Sequence, residues 1–359
     1  MSKARILALY LPQYHPIPEN DKWWGKGFTE WTNVGKAKPL FKGHDQPKVP
    51  ADLGYYDLRL SEVREAQAEM ARNHGVEGFC YWHYWFGGGR RLLERPFNEV
   101  LALGKTDFPF CLAWANHSWE DKLFNKEGTK KLLIEQTYPG DEDYILHFNT
   151  LLPAFKDARY VRVNDKPLFM VYNPFDLPDI RHFIDLWNKL AIENGLNGIH
   201  FVAQTHSVDD IEMLKNGGFD AVNIVRLFHF FKKEYSLFER AYLKMMRIVF
   251  KKGRIVPYAK AARSFSGIED KDNRCYPCII PNWDHSPRSG RGGHILTNST
   301  PETFSKHVKS VLESVKDKPE QEKIVFLKSW NEWAEGNYME PDIKHGHSFL
   351  NELKIQVYK

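Results

Sequence analysis

Long hydrophobic runs are missing from this chain. No window approaches the roughly 18 uninterrupted apolar residues that a membrane-spanning helix requires, so none is expected. Cysteine is scarce, four in 359 residues, and Cys80 and Cys111 sit inside apolar runs, where small buried side chains belong. Cys275-Tyr276-Pro277-Cys278 has CxxC spacing. No second ligand pair completes a zinc site around it and no redox context precedes a helix, so these cysteines also read as structural. The opening residues Met1-Ser2-Lys3-Ala4-Arg5 run straight into a segment broken by Pro, Gln, Tyr and His, with no small-residue cleavage pattern. A secretory leader is therefore not expected, and the cytosol is the expected location. A phosphate-cradling glycine loop is also lacking: Gly87-Gly88-Gly89 has the wrong spacing, and Pro12-Gln13-Tyr14-His15-Pro16 cannot wrap a pyrophosphate. That argues against an open nucleotide-binding sheet. The net charge of only +4 gives no reason to expect a nucleic-acid partner.

Aromatic residues are abundant, with 11 Trp, 16 Tyr and 24 Phe. Many gather with Asn, Gln, His and Glu just after apolar runs, where a binding cleft would use them. Eight such runs alternate with helix-like periods: Ile6 to Leu11, Gly78 to Phe86, Phe110 to Ala115, Leu168 to Tyr172, His200 to Gln204, Ala221 to Val225, Pro277 to Pro281 and Ile324 to Ser329. Eight strand–helix units predict an α/β fold, a single (β/α)8 TIM barrel filling residues 1–359 as one domain. Ile180, Phe183, Leu186, Trp187 and Leu190 form one helical stripe, stopped at Gly195. Thr300 and Pro301 read as N-cap and first turn of another, with Phe304, Val308, Val311, Leu312 and Val315 facing inward. The Trp-, Pro- and Gly-rich stretch from Pro12 to Leu53 reads as an elaborated first βα loop over the barrel mouth.

Charge is unevenly spread. Residues 229–263 carry ten Lys/Arg against two Glu, a local +8, with Phe238, Tyr242, Met245, Met246, Val249 and Phe250 at near-helical spacing. A basic helical insertion after the sixth strand is predicted, with two competing expectations: an ordinary solvated face, or peripheral contact with an anionic membrane.

In a βα barrel the functional side chains lie at the C-terminal ends of the strands. The candidate ligand-binding residues there are Tyr14 and His15 after the first strand, Tyr81, His83 and Trp85 on the second, and Trp114, Asn116 and His117 on the third. Tyr172, Gln204 and Trp283 follow on later strands. Aromatic platforms with amide and imidazole hydrogen-bonders suit a polyhydroxylated ligand. The last strand ends in Ser329-Trp330-Asn331-Glu332-Trp333-Ala334-Glu335-Gly336, which adds Trp330, Asn331 and Trp333 and two glutamates three residues apart. Glycosidic chemistry needs such a pair, one carboxyl to protonate the leaving oxygen and one as base or nucleophile. A metal centre is disfavoured, because the first strand has no HxH pair and the fourth no bridging Lys; no metal and no cofactor are expected.

Four segments carry a resemblance. Tyr10-Leu11-Pro12-Gln13-Tyr14-His15-Pro16, Trp24-Gly25-Lys26-Gly27-Phe28-Thr29-Glu30-Trp31, Gly78-Phe79-Cys80-Tyr81-Trp82-His83-Tyr84-Trp85 and the Ser329–Gly336 run resemble, in this order, the WbsX-type proteins of bacterial O-antigen and capsule loci. Those in turn are similar to the family-99 glycoside hydrolases, (β/α)8 barrels that cleave internal α-mannosidic linkages with retention. The resemblance implies catalytic roles for Glu332, as the base that deprotonates the sugar's own 2-hydroxyl, and Glu335, as acid and then base. It implies an oligosaccharide or lipid-linked glycan as substrate. The WbsX-type proteins are commonly labelled glycosyltransferases, so transfer from an activated sugar donor stays open, as does a non-catalytic glycan-binding barrel. Two further expectations follow from the strand-end pattern: Glu332 and Glu335 share a cleft with His83, Trp85 and Trp114, and Glu335 is the more protonated of the two.

Overall fold

The computed structural model describes residues 4–104, 106–121, 131–250 and 253–359. Its centre is a closed parallel barrel of eight strands: β1 Arg5–Tyr10, β2 Gly78–Trp85, β3 Phe110–Trp114, β4 Lys166–Val171, β5 His200–Thr205, β6 Ala221–Ile224, β7 Cys275–Ile279 and β8 Ile324–Leu327. Each strand pairs with the next in sequence, and β1 closes the ring by pairing with both β2 (Leu7 opposite Gly78) and β8 (Arg5 opposite Ile324). All eight apolar runs are strands, and the (β/α)8 barrel is the fold. Helices cover the outside, so the strands are buried on both faces; every residue of β2 is buried.

The covering helices obey the signals in their sequences. Ile180–Glu193 starts where Asp179 Oδ1 accepts the backbone N–H of His182 at 2.9 Å. Its stripe of Phe183, Ile184, Trp187 and Ala191 is buried against the barrel. Pro301–Val315 starts at Thr300, whose Oγ1 accepts the Thr303 N–H at 3.3 Å. Phe304, Val308, Val311 and Val315 face inward. Cys80 and Cys111 are register partners on β2 and β3, and all four cysteines are buried and free.

The first βα connection is longer than its sequence signals indicated. It runs from Leu11 to Leu60 and carries two short helices, Pro18–Trp24 and Glu30–Lys36, before the covering helix Ser61–Asn73. The basic insertion after β6 is helical, Phe230–Lys233 and then Leu237–Phe250. Leu237 (75% exposed), Phe238 (89%), Tyr242 and Met245 point away from the barrel. Lys251 and Lys252 lie outside the described residues, as do the side chains of Lys232 and 246–250. Among the described residues, no helix is long and apolar enough to cross a membrane.

Trp187 is fully buried, with its ring 4.8 Å from Phe183 and 4.9 Å from Phe169 of β4. Trp187→Ala leaves a large cavity between helix and barrel and is expected to cost about 3–5 kcal/mol. Urea unfolding of the variant against the wild type measures it.

Candidate active site

Where β8 ends, the chain is tied into the barrel mouth by its own polar groups. Lys328 N–H donates to Ile279 O of β7 at 2.8 Å and Trp330 N–H to Leu9 O of β1 at 2.8 Å. The Asn331 amide then grips the end of β1, accepting from Leu11 N–H at 2.7 Å and donating to Leu11 O at 3.0 Å. Tyr14 OH donates to Asn331 O and accepts the Trp333 N–H at 3.3 Å. Ser329 Oγ accepts the Glu332 N–H at 3.1 Å. A short turn, Trp333–Glu335, follows, and Gly336 leaves it at φ 60°. A Cβ on Gly336 would sit 2.7 Å from Cβ of Asp284. Only glycine lets the turn lie this close to the loop after β7.

The turn presents Glu332 and Glu335 to a cleft of about 640 Å³ at the C-terminal mouth. Trp24, Phe28, Trp119 and Tyr84 pack in one chain of rings along it, Trp82, Tyr172 and His117 in another, and Glu30 of the first loop also lines it. Lys328, His285 and Arg288 complete it. A smaller cavity of about 320 Å³, bordered by Lys42, Asp284, Asn298 and Gly336, contains neither glutamate.

One guanidinium holds the acids together. Arg288 donates through Nε to Glu30 Oε1 at 2.7 Å, through Nη2 to Glu332 Oε2 at 3.2 Å and through Nη1 to Glu335 Oε1. His285 Nε2 lies 3.8 Å from Glu335 Oε1. Burial pushes the Glu332 carboxyl up to about 7, and the charge of Glu335 pushes the same way, against the pull of Arg288 and Lys328. Both glutamates are paired with Arg288, and Glu332 is the more deeply buried of the two. A value near 7 suits a group that must take a proton and return it at neutral pH.

Few of the sequence-predicted ligand-binding residues reach this cleft. His117 and Tyr172 line it with the two glutamates. Trp283 stacks on His285 at the rim, with ring centroids 5.9 Å apart. The expectation that His83, Trp85 and Trp114 share the cleft is corrected. Along β2 successive side chains alternate sides, so Trp82 and Tyr84 face the mouth while Tyr81, His83 and Trp85 face the helices. Tyr81 packs on Phe97. His83 Nε2 meets His147 Nε2 at 2.8 Å, and burial holds both imidazoles well below their usual range, a neutral pair in which one nitrogen donates and the other accepts. Trp85 stacks flat on His147 at 4.4 Å and donates to Asp143 Oδ2 at 3.0 Å. Trp114 Nε1 donates to Trp85 O at 2.9 Å.

The remaining candidates are framework. Tyr14 and Asn331 are the clamps described above. His15 is buried, its Nδ1 against Pro12 O at 3.0 Å. Asn116 joins β3 to β4 through Asn173 N and O, both at 2.7 Å. Gln204 is buried, outside the residues lining the cleft, and neither side-chain amide atom has a partner among the described residues. Trp330 packs on Phe79, and Trp333 stacks on Tyr338 at 3.8 Å while donating to Glu340 Oε2 at 2.6 Å. Strand-end reasoning missed Arg288, Lys328, Glu30, Trp24 and Phe28. Glu30 stood inside a motif already singled out, and three carboxylates in one mouth require a counter-charge, which is the signal that leads to Arg288.

Beneath the turn lies one more buried acid. Glu340 accepts from Tyr56 OH at 2.9 Å, Gln67 Nε2 at 2.6 Å and Trp333 Nε1. Burial nevertheless lifts it to about 7.

A (β/α)8 barrel with two glutamates on the turn after its last strand and aromatic residues lining its mouth has the architecture of a sugar-processing enzyme. Residues 6–353 match the family described as glycosyltransferase WbsX, and the chain belongs to that carbohydrate-active family. It is 36% identical over 356 residues to proteins described as "Uncharacterized protein WxcX" in two strains of Xanthomonas campestris pv. campestris. Those alignments cover 98% of this chain and 49% of the relatives, so the chain spans about half the length of the curated relatives it matches. Among solved structures, it resembles the GH99 endo-alpha-mannosidase from Bacteroides thetaiotaomicron (TM-score 0.61, 13% identity, 100% of this chain and 97% of that one). A protein described as "Glycoside hydrolase-like protein" is also similar (TM-score 0.61, 14% identity, 99% and 94% covered). At these identities the likeness is one of fold.

Glu332 and Glu340 both sit above the ordinary carboxyl range when folded, so the stability they contribute is complete below about pH 4.5 and lost as the pH rises through about 7. For Glu340 the loss is on the order of 3 kcal/mol. Urea unfolding at pH 5 and pH 8 should show this decline in the wild type and a flatter profile in Glu340→Gln.

Proposed function

We propose that this chain, as one barrel domain, cleaves or transfers glycosyl units with Glu332 and Glu335 in cell-surface polysaccharide (O-antigen or capsule) metabolism, acting on an oligosaccharide or lipid-linked glycan. The observation that carries it is the pair itself, two glutamates in an aromatic-walled cleft, one of them held near pH 7. In the retaining, endo-alpha-mannosidase-like course, Glu332 takes the proton of the sugar 2-hydroxyl, whose oxygen attacks the anomeric carbon. Glu335 protonates the departing glycosidic oxygen as its bond breaks. Glu335 then deprotonates a water, or an acceptor hydroxyl, which opens the 1,2-anhydro sugar while Glu332 returns its proton to O2. Water gives hydrolysis and a sugar hydroxyl gives transfer, with the same residues in the same roles.

The alternative is a glycosyltransferase using an activated donor, in keeping with the family's description. Among the described residues the charge of the cleft weighs against a nucleotide diphosphate there, since Glu30, Glu120, Asp176, Glu332 and Glu335 outnumber Lys36, Arg288 and Lys328. A purely glycan-binding barrel is the third reading, and the presence of both glutamates in the cleft weighs against it. Assays with defined oligosaccharides and with sugar nucleotides separate these readings. Glu332→Gln and Glu335→Gln are expected to lower turnover by about 10²–10⁴-fold while glycan binding, measured by calorimetry, is largely kept. Full activity in Glu332→Gln would sink the substrate-assisted course.

We further propose that segment 229–263 brings the enzyme reversibly to an anionic inner-membrane surface. It leaves the same end of the barrel as the cleft, since Phe228 packs 6.1 Å from Trp283, and it exposes Leu237, Phe238, Tyr242 and Met245 beside Arg240 and Lys244. Each basic residue near anionic lipid contributes about 1 kcal/mol. Sedimentation with phosphatidylserine-containing liposomes should show binding that salt releases and that Phe238→Ser with Lys244→Glu abolishes. Binding indifferent to lipid charge and to these changes would leave an ordinary solvated helix.

A further inference from the structure

Arg288 is among the cleft residues that strand-end reasoning missed, and it meets three carboxylates at once. It comes from the short helix Ser286–Ser289 after β7, while the three carboxylates it meets come from elsewhere: Glu30 from the first loop, Glu332 and Glu335 from the turn after β8. Glu30 is 2% exposed and occupies the Nε side of the guanidinium. With Nε engaged there, the planar fork has its two remaining nitrogens aimed at one catalytic glutamate each. The loop carrying Arg288 is itself tied down, because Ser286 N–H donates to Asp284 Oδ1 at 3.0 Å and Asp284 Oδ2 is held by His44 and Gln46 at 2.8 and 2.7 Å.

We propose that Arg288, anchored by Glu30, is the positioning residue of this site: it fixes the Glu332 and Glu335 carboxylates relative to one another and decides how the single ionisation needed for turnover is shared between them. The role rests on the assignment of the two glutamates as the reacting pair. Glu332 is faced by Glu335 and Lys328 from its own end of the barrel, by Arg288 from the loop after β7, by Glu30 and Tyr14 from the first loop, by Tyr84 from β2 and by Tyr172 after β4. Of these, Arg288 alone bonds both glutamates among the contacts described. Removing it withdraws a positive charge from Glu332 and releases Glu335, and both changes favour the protonated form of Glu332. Lysine cannot replace it fully, since an ammonium on a flexible stem has no fork to span three carboxylates.

The test needs no substrate. Carbon-13 NMR titration of protein labelled at the glutamate carboxyls, with the Glu332 signal identified by its loss in Glu332→Gln, should move upward by about 1–2 pH units in Arg288→Met, and less in Arg288→Lys. Glu30 should act through Arg288, so the shift produced by Glu30→Ala should differ between the wild-type and Arg288→Met backgrounds. Equal shifts would overturn the anchoring role, and a Glu332 titration unmoved in folded Arg288→Met would overturn the proposal. If Arg288→Met does not fold, Arg288→Lys decides in the same way. Where a turned-over glycan is in hand, the pH optimum should follow the titration. A shifted titration in a protein that processes no glycan would sink the catalytic reading and leave the positioning role standing.

Discussion

A carboxylate withdrawn from water must be compensated by the protein or take up a proton, and the mouth of this barrel is organised around that requirement. Glu340 is surrounded by three neutral donors, Tyr56, Gln67 and Trp333, and is lifted toward neutrality. Asp284 is met by His44, Gln46 and a backbone N–H. Glu30, Glu332 and Glu335 share Arg288. Each arrangement also joins segments far apart in sequence, so the same hydrogen bonds that make a buried acid tolerable hold the loops of the mouth in place.

The barrel contributes through geometry more than through its own side chains. Its strands deliver loops to one end, and the loops line the cleft: Glu30 and Trp24 from the first, Trp119 from the third, Arg288 from the seventh, the glutamates from the eighth. Strand residues that do enter the cleft, Trp82 and Tyr84, do so because of their parity along β2. Their neighbours build a second aromatic cluster on the outer side, where Trp85, Trp114 and Trp187 surround the buried imidazole of His147.

That parity marks how far the sequence was legible. Strand positions were readable because parallel strands buried on both faces appear as continuous apolar runs, and the glutamate pair because it follows the last run directly. The same continuity conceals which face each side chain takes. Within Gly78–Trp85 every residue is buried, so no alternation of polar and apolar types distinguished Trp82 from Trp85. Tyr14, Asn331 and Trp333 looked like ligand-binding groups because residues that clamp polar loops are the same types that bind sugars. Arg288 was hidden for another reason: it pairs with charges some 44 to 258 positions away, which no local pattern reports.

The Asn331 clamp on Leu11 spans 320 residues and lies at the seam where β8 closes against β1. A chain emerging from the ribosome has made seven strands and the whole first loop before that seam can form. Until then β1 has a bare edge, Glu30 has no guanidinium bridge to the glutamates, and the turn that carries them has not been synthesised. Nascent or prematurely ended chains therefore lack both glutamates of the cleft, and an unpaired β1 edge is the kind of surface through which such chains associate.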